Sequence, residues 1–303
     1  MSVDVVCAGP AFLDLVFLGL SHTPEAGEEV LATEVTIMPG AMANVAFALR
    51  RLDLAAIICA PVGTDPAGRL LRILMDEAGI PWLGGPAPAT PITVALPRDG
   101  ERAFVSHFPT TTVDVAKVAA VQPRAVVVNL PLPLGLPTAL PAGTRVVGVI
   151  GDPQVALLLD RPVESWADLH AVVMNEREAT KLTGRTDAAS AARELAARGC
   201  LVIVTRGERG VVAFRPDGTC IDAPAVPVVA RDTVGAGDLF TAAWLWADLA
   251  GRPLDECLAV ATAYTAHSLA APGSGQKGLT RAAFLEVGQS SGEAASWMQE
   301  VRG

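Results

Sequence analysis

The sequence predicts an α/β fold with a mostly parallel sheet, and three observations carry that expectation. Compact apolar or β-branched runs at residues 3–9, 55–60, 124–130, 144–150, 168–174 and 201–204 alternate with stretches of helical pattern. That order is the one crossover helices between parallel strands impose. The runs end in loops rich in Gly, Pro, Asp and Asn, where open α/β sheets place ligand-binding groups. A chain of 303 residues, 51% hydrophobic and 18% charged, can bury a large core, and its length allows one large α/β domain or two smaller ones.

Composition narrows the class of partner. A net charge of −9 disfavours nucleic-acid and anionic-membrane surfaces, which need a basic footprint, and leaves a small molecule as the expected partner. Cys7, Cys59, Cys200, Cys220 and Cys257 show no C-x-x-C spacing, and several lie in apolar runs, so buried free thiols in a reducing compartment are expected. The apolar run 3–20 lacks a basic flank and is broken by Asp4, Pro10 and Asp14. Neither a signal peptide nor a spanning helix fits, and the protein reads as cytoplasmic with no membrane partner.

In chain order, Val3 to Gly9 reads as a buried strand opening at Gly9-Pro10, with Asp14 a few residues on; spacing alone explains Asp14 equally as an exposed loop residue. Residues 29–38 alternate loosely and read as an exposed strand. Pro39-Gly40-Ala41-Met42-Ala43-Asn44 leads into a helical pattern through Phe47, Leu49 and Leu52. This puts Gly40 where backbone can approach a ligand and Asn44 in the first helical turns, where its amide can bond hydroxyls; an ordinary helix start is the competing reading. Asp65 reads as the N-cap of a helix over 69–78 with Pro66 at its first position, a structural role. Strands at 92–96 and 102–108 flank Pro97-Arg98-Asp99-Gly100, which suits a tight antiparallel connection.

The proline-rich stretch 131–137 reads as a loop over the sheet, neither helix nor central strand. Asn175 and Glu178 follow the strand 168–174 as N-x-x-E. An amide and a carboxylate at a strand end suit phosphate oxygens and hydrated Mg²⁺, although Asn175 capping a helix with Glu178 three residues on explains them completely. A helix over 188–198 stops at Gly199, and the strand 201–204 ends in Thr205-Arg206-Gly207-Glu208-Arg209-Gly210 before a further run at 211–214; a β-turn is the alternative there. A long apolar helix spans 253–270, within which His267 reads as a packing residue. His22, His107 and His170 are too dispersed for a metal site.

The most informative stretch is Arg231-Asp232-Thr233-Val234-Gly235-Ala236-Gly237-Asp238, followed by an apolar helical run. Small residues at 235–237 let N–H groups converge on an anion, and a helix starting there adds its positive end. Asp238 is a carboxylate in a place otherwise suited to an anion alone. Its natural task is to take a proton from a hydroxyl attacking that phosphate.

D-T-x-G-A-G-D before a long helix resembles the C-terminal signature of the ribokinase-like, or phosphofructokinase-B, carbohydrate kinases. Four further stretches, in the family's order, carry the same resemblance: Pro39-Gly40-Ala41 with Asn44, the V-G-x-D-x-x-G run from Val62, N-x-x-E at Asn175, and T-x-G-x-x-G at Thr205. The resemblance covers residues 14–277. It implies one domain over 1–303, a three-layer sandwich with a mostly parallel central sheet, and a small β-sheet lid at roughly 12–38 and 91–108. It implies ATP-dependent phosphorylation of a hydroxymethyl group, with a furanose sugar favoured, a nucleoside second, and a non-catalytic regulatory protein on this fold as the competing class.

The implied roles are specific. Asp238 is the catalytic base, and the N–H groups of Gly235, Ala236 and Gly237 form the anion hole. Asp14, Gly40 and Asn44 orient the acceptor together with Asp238. Asn175, Glu178, Thr205, Gly207, Gly210 and Gly273 belong to the nucleotide side, with Glu178 reaching Mg²⁺ through water. Lys277 stands near a position where relatives bind a monovalent cation, and its ammonium would replace that ion. Two departures face the acceptor: Ala41 replaces a second glycine, narrowing the pocket or shifting the loop, and Pro131 stands where some relatives carry an acidic contact. The oligomeric state stays open, with a homodimer through an exposed lid edge as one outcome.

Overall fold

The computed structural model describes residues 2–98, 101–109, 112–163, 165–229, 233–271 and 278–290. Among the described residues the strands are β1 (Val5–Ala8), β2 (Ala11–Leu18), β3 (Glu34–Ala41), β4 (Ala56–Cys59), β5 (Val62–Gly63), β6 (Pro86–Ala87), β7 (Ile92–Arg98), β8 (Glu101–His107), β9 (Ala125–Asn129), β10 (Arg145–Val149), β11 (Ala171–Asn175), β12 (Leu201–Thr205), β13 (Val211–Phe214) and β14 (Cys220–Ala223). The helices are α1 (Met42–Arg51), α2 (Pro66–Glu77), α3 (Val115–Ala120), α4 (Leu136–Ala139), α5 (Asp152–Asp160), α6 (Glu176–Thr183), α7 (Ala188–Ala196), α8 (Ala236–Leu249), α9 (Leu254–Ala270) and α10 (Arg281–Ser290).

The large sheet has the order β14-β13-β12-β11-β10-β9-β1-β4. Its strands from β12 to β4 are parallel, and β13 and β14 add antiparallel at one edge. Both faces are covered, so the strands are apolar throughout. Val5 and Cys7 pack into one core with α1, α2, α8 and α9, while Val6 and Ala8 pack into a second with α3 to α7. Three layers result, as expected. The chain leaves β1 for β4 on one side and returns to β9 on the other, so the topological switch point lies between β1 and β9, where open sheets open a crevice at the strands' carboxyl ends.

A smaller sheet, β3-β2-β7-β8, carries Asp14 on β2, opposite Met38 of β3 and Thr93 of β7. Asp14 is therefore a buried strand residue rather than an exposed loop one. The strand expected at 29–38 instead spans Glu34–Ala41, because β2 pairs with it from Leu18↔Glu34 to Ala11↔Ala41. β11 begins at Ala171 rather than at 168, since Leu169 N–H turns back to Trp166 O at 2.9 Å. Within the proline-rich stretch, α4 forms one turn with Pro137 near its start, where a missing N–H is tolerated.

Four cysteines are buried and Cys220 is exposed; all five are free thiols. Among the described residues no helix is long and apolar enough to cross a membrane. The Asp99-Gly100 turn, Arg231, Asp232, and the loop holding Gly273 and Lys277 lie outside the described residues.

Candidate active site

Gly9, at the end of β1, stands at the switch point. A Cβ there would lie 2.5 Å from Asn129 Oδ1 and 3.1 Å from Met42 Cγ, so the glycine admits the last side chain of β9 and the start of α1 to the same spot. Met42 N–H bonds Pro10 O at 3.3 Å, anchoring the start of α1 on this crevice. Asn44, in the first turn of α1, is 3% exposed, and its Nδ2 donates to Asp238 Oδ2 at 3.0 Å. The acceptor motif and the phosphate loop thus meet side chain to side chain.

The backbone of Gly40 passes directly beneath Asp14: a Cβ at Gly40 would lie 2.0 Å from Asp14 Oδ2. Glycine is required there for the carboxylate to sit where it does. The next residue, Ala41, holds φ 53° and ψ −124°, a region glycine enters freely and alanine does not. At the position where the resemblance expects a second glycine, Ala41 thus holds a backbone conformation suited to glycine and carries strain.

Gly235, in the left-handed region at φ 79°, turns the chain into α8, and no side chain caps that helix. Ala236 N–H already donates to Thr233 O at 3.2 Å, whereas the N–H groups of Gly235 and Gly237 find no acceptor among the described residues. An orphan pair of donors at a helix N-terminus suits an anion. A Cβ at Gly237 would meet nothing within 4 Å, so packing alone does not require glycine at this position.

Burial pushes the Asp14 carboxyl up to about 7, and the nearby charge of Asp238 pushes the same way. Burial raises Asp238 to about 6, against a hydrogen bond from Asn44 that favours its charged form. Two carboxylates share one cleft with no cation paired to either among the described residues.

Farther along the same sheet edge, Asn175 and Thr205 end neighbouring strands in register. Three strand spacings, about 14 Å, separate this end from β1. Asn175 and Glu178 form the full capping box: Asn175 N–H donates to Glu178 Oε2 at 2.7 Å, and Glu178 N–H to Asn175 Oδ1 at 2.9 Å. Burial raises Glu178 to about 7, with the Asn175 N–H opposing it. Thr205 to Gly210 forms a 3₁₀ turn between the antiparallel β12 and β13, so the turn reading is realised as well. Gly210 has a packing reason, since a Cβ there would lie 2.1 Å from Ala223 O, whereas Gly207 faces open space.

One site residue escaped sequence reasoning. Pro131 is exposed, and the side chain at the end of β9 that reaches the crevice is Asn129, whose Oδ1 is buried without a hydrogen-bond partner. Its signal was a lone amide closing the run Ala125-Val126-Val127-Val128. Among the described residues no cluster of three His, Cys, Asp or Glu side chains gathers to hold a metal.

Comparison with known proteins bears on the family and the fold. Residues 136–280 match the pfkB family carbohydrate kinases. The chain is 30% identical over 266 residues to a fructokinase of Klebsiella pneumoniae, an alignment covering 78% of this chain and 86% of that protein. A stretch of 91 residues, 29% of the chain, is 43% identical to a cytidine kinase of Thermococcus kodakarensis and spans 32% of that protein's length. The structure of Arabidopsis thaliana ribokinase complexed with ribose and ATP matches with a TM-score of 0.76 at 23% identity, covering 95% of this chain and 99% of that one, a likeness of fold.

Proposed function

This chain belongs to the pfkB family of carbohydrate kinases, and we propose that it transfers the γ-phosphoryl group of ATP to a hydroxymethyl group of a small sugar, with Asp238 as general base. The observation carrying this reading is the meeting of Asn44 with Asp238 at the uncapped start of α8, which puts a held carboxylate and an anion hole within one helical turn.

Asp238 takes the proton of the acceptor hydroxyl as that oxygen forms its bond to the γ-phosphorus. The bond from phosphorus to the bridging oxygen breaks, and ADP leaves with the electron pair. A carboxyl raised to about 6 is ionised at neutral pH yet basic enough to receive that proton. The N–H groups of Gly235 and Gly237, without an acceptor among the described residues, face with the positive end of α8 the charge that develops on the transferred group. Asp14, Asn44 and Asn129 orient the acceptor, and Gly40 lets Asp14 reach it. Asp14, Asp238 and the unpartnered Asn129 Oδ1 are all acceptors, which suits a ligand rich in hydroxyl donors.

On the nucleotide side, Asn175, Glu178, Thr205 and Gly207 line the edge along which ATP would lie. Mg²⁺ keeps most of its waters and needs few protein ligands, so Glu178 alone, through water, fits it. When bound, that ion neutralises charge on the phosphate oxygens. The strands β2, β3, β7 and β8, which overlap segments 12–38 and 91–108 of a single domain, serve as a lid that excludes competing water. Val35, Ile37, Phe104 and Val105 on that sheet are 44–66% exposed, which favours a homodimer through the lid.

A furanose sugar is the first reading of the acceptor. A nucleoside is the second, favoured by the cytidine kinase match. Coupled measurement of ADP release with ATP and D-fructose, D-ribose, cytidine or adenosine tests the proposal. Release that requires one of these acceptors is expected; nucleotide binding without release on any of them would leave a non-catalytic binding protein.

A further inference from the structure

A polar knot of Gly63, Asp65, Gly68 and Thr90 lies just before β7 and shares no residue with the site described above. Asp65 caps α2 through Gly68 N–H, which reaches Oδ1 at 2.7 Å. A cap needs no more than that. Yet Thr90 adds two bonds to the same carboxylate, Oγ1–H to Oδ1 at 2.8 Å and N–H to Oδ2 at 2.8 Å. Gly63 N–H completes the knot by donating to Thr90 Oγ1 at 3.1 Å.

The backbone has collapsed around this hydroxyl. A Cβ at Gly63 would lie 2.6 Å from Thr90 N, and one at Gly68 would lie 2.6 Å from Thr90 Oγ1 and 2.0 Å from Gly63 O. Thr90 itself is 1% exposed. Both glycines of the V-G-x-D-x-x-G run are therefore explained by a residue more than twenty positions later.

What Thr90 holds is the start of β7. Pro91 O accepts from Leu13 N–H at 2.9 Å, and the register then runs Leu13↔Ile92 and Asp14↔Thr93. From the knot to the acceptor carboxylate, the path is one residue on to Pro91, one hydrogen-bonded step across to Leu13 and one residue along β2 to Asp14. We propose that Thr90 is a positioning residue for the acceptor site, its hydroxyl tying the start of β7 to Asp65 and so setting the height of Asp14 over Gly40. The proposal rests on the reading of Asp14 as an acceptor contact.

The test compares native chain, Thr90→Val and Thr90→Ser, using whichever of D-fructose, D-ribose, cytidine and adenosine the native chain phosphorylates best. Valine keeps the shape and strands Gly63 N–H. Losing bonds of this kind is expected to raise the acceptor KM about tenfold, leave the ATP KM within about twofold, and be reversed by serine. An equal rise in both KM values, or a lower Tm with unchanged acceptor KM, would overturn the proposal. Should Thr90→Val fail to fold, Asp65→Asn provides the second variant: one oxygen still caps α2, but the amide NH₂ cannot accept from Thr90 N–H, and the same KM split is expected.

Amide exchange at Leu13 separates this inference from the kinase reading. Thr90→Val should speed it whether or not the chain phosphorylates anything, and unchanged exchange would contradict the positioning role even in an active enzyme. A native chain inactive on every acceptor, with faster Leu13 exchange in the variant, would fail the kinase reading alone.

Discussion

Asn44 Nδ2 donates to Asp238 Oδ2 at 3.0 Å, joining side chains 194 residues apart at the heart of the proposed site. The bond favours the charged carboxylate, so its loss must raise the Asp238 pKa further above about 6. Asn44→Ala is expected to move the acid limb of the pH–rate profile to higher pH and to raise the acceptor KM well beyond the ATP KM. Equal effects on both substrates, with an unmoved limb, would place Asn44 outside the acceptor pocket.

Gly237 offers a cleaner probe of the anion hole. A methyl group there meets no atom of the described residues within 4 Å, and alanine suits a helix better than glycine. Gly237→Ala should keep or raise Tm while reducing turnover by about tenfold or more, because the methyl would crowd a phosphoryl group held by the N–H groups. Native turnover in this variant would argue that the transferred group does not approach residue 237.

Ala41 predicts a gain in stability. Its φ of 53° and ψ of −124° store roughly 1–3 kcal/mol of strain, of which glycine would release more than it loses through unfolded-state entropy. Ala41→Gly is expected to raise stability by about 1 kcal/mol in chemical denaturation. A destabilised variant would show that the methyl group makes packing contacts worth more than the strain.

Asp14 predicts a pH dependence with a definite sign. Its folded pKa of about 7 lies above the ordinary 3.8, so its contribution to stability is full below pH 3.8 and is lost as pH rises through about 7. Asparagine does not ionise. The Tm of Asp14→Asn relative to native should therefore climb between pH 4 and pH 8, even as acceptor phosphorylation falls. A Tm difference independent of pH would contradict the buried, charge-repelled carboxylate.

How much of this was readable from residues alone depended on how local each constraint is. The loop at 235–238 was legible because an anion cradle needs small residues and a helix start, both visible in Gly235-Ala236-Gly237 and the apolar run after Asp238. Asn44 followed from Gly40 and its spacing within α1. Spacing left Asp14 open between a ligand-binding group and an exposed loop residue, because β2 is defined by pairing with β3 and β7, contacts 24 and 79 residues away in register, which leave no periodicity in the strand itself. Asn129 was passed over for Pro131 because strand ends shift by a residue or two and the inward side chain is set by the sheet. The strain at Ala41 arises from tertiary contacts, including Met42 N–H to Pro10 O, and no propensity reveals it. The helices α3 and α5 and the edge strand β14, of 6, 9 and 4 residues, are too short for their apolar positions to establish a period.

The central claim is that Asp238 accepts the proton of the acceptor hydroxyl, and single-turnover transfer from ATP in Asp238→Asn tests it most directly. Asparagine keeps the size of the side chain and the bond from Asn44 to its remaining oxygen. With fold and nucleotide binding verified, the account predicts a loss of about 10²–10⁴ in the transfer rate. A variant that keeps half the native rate would contradict it.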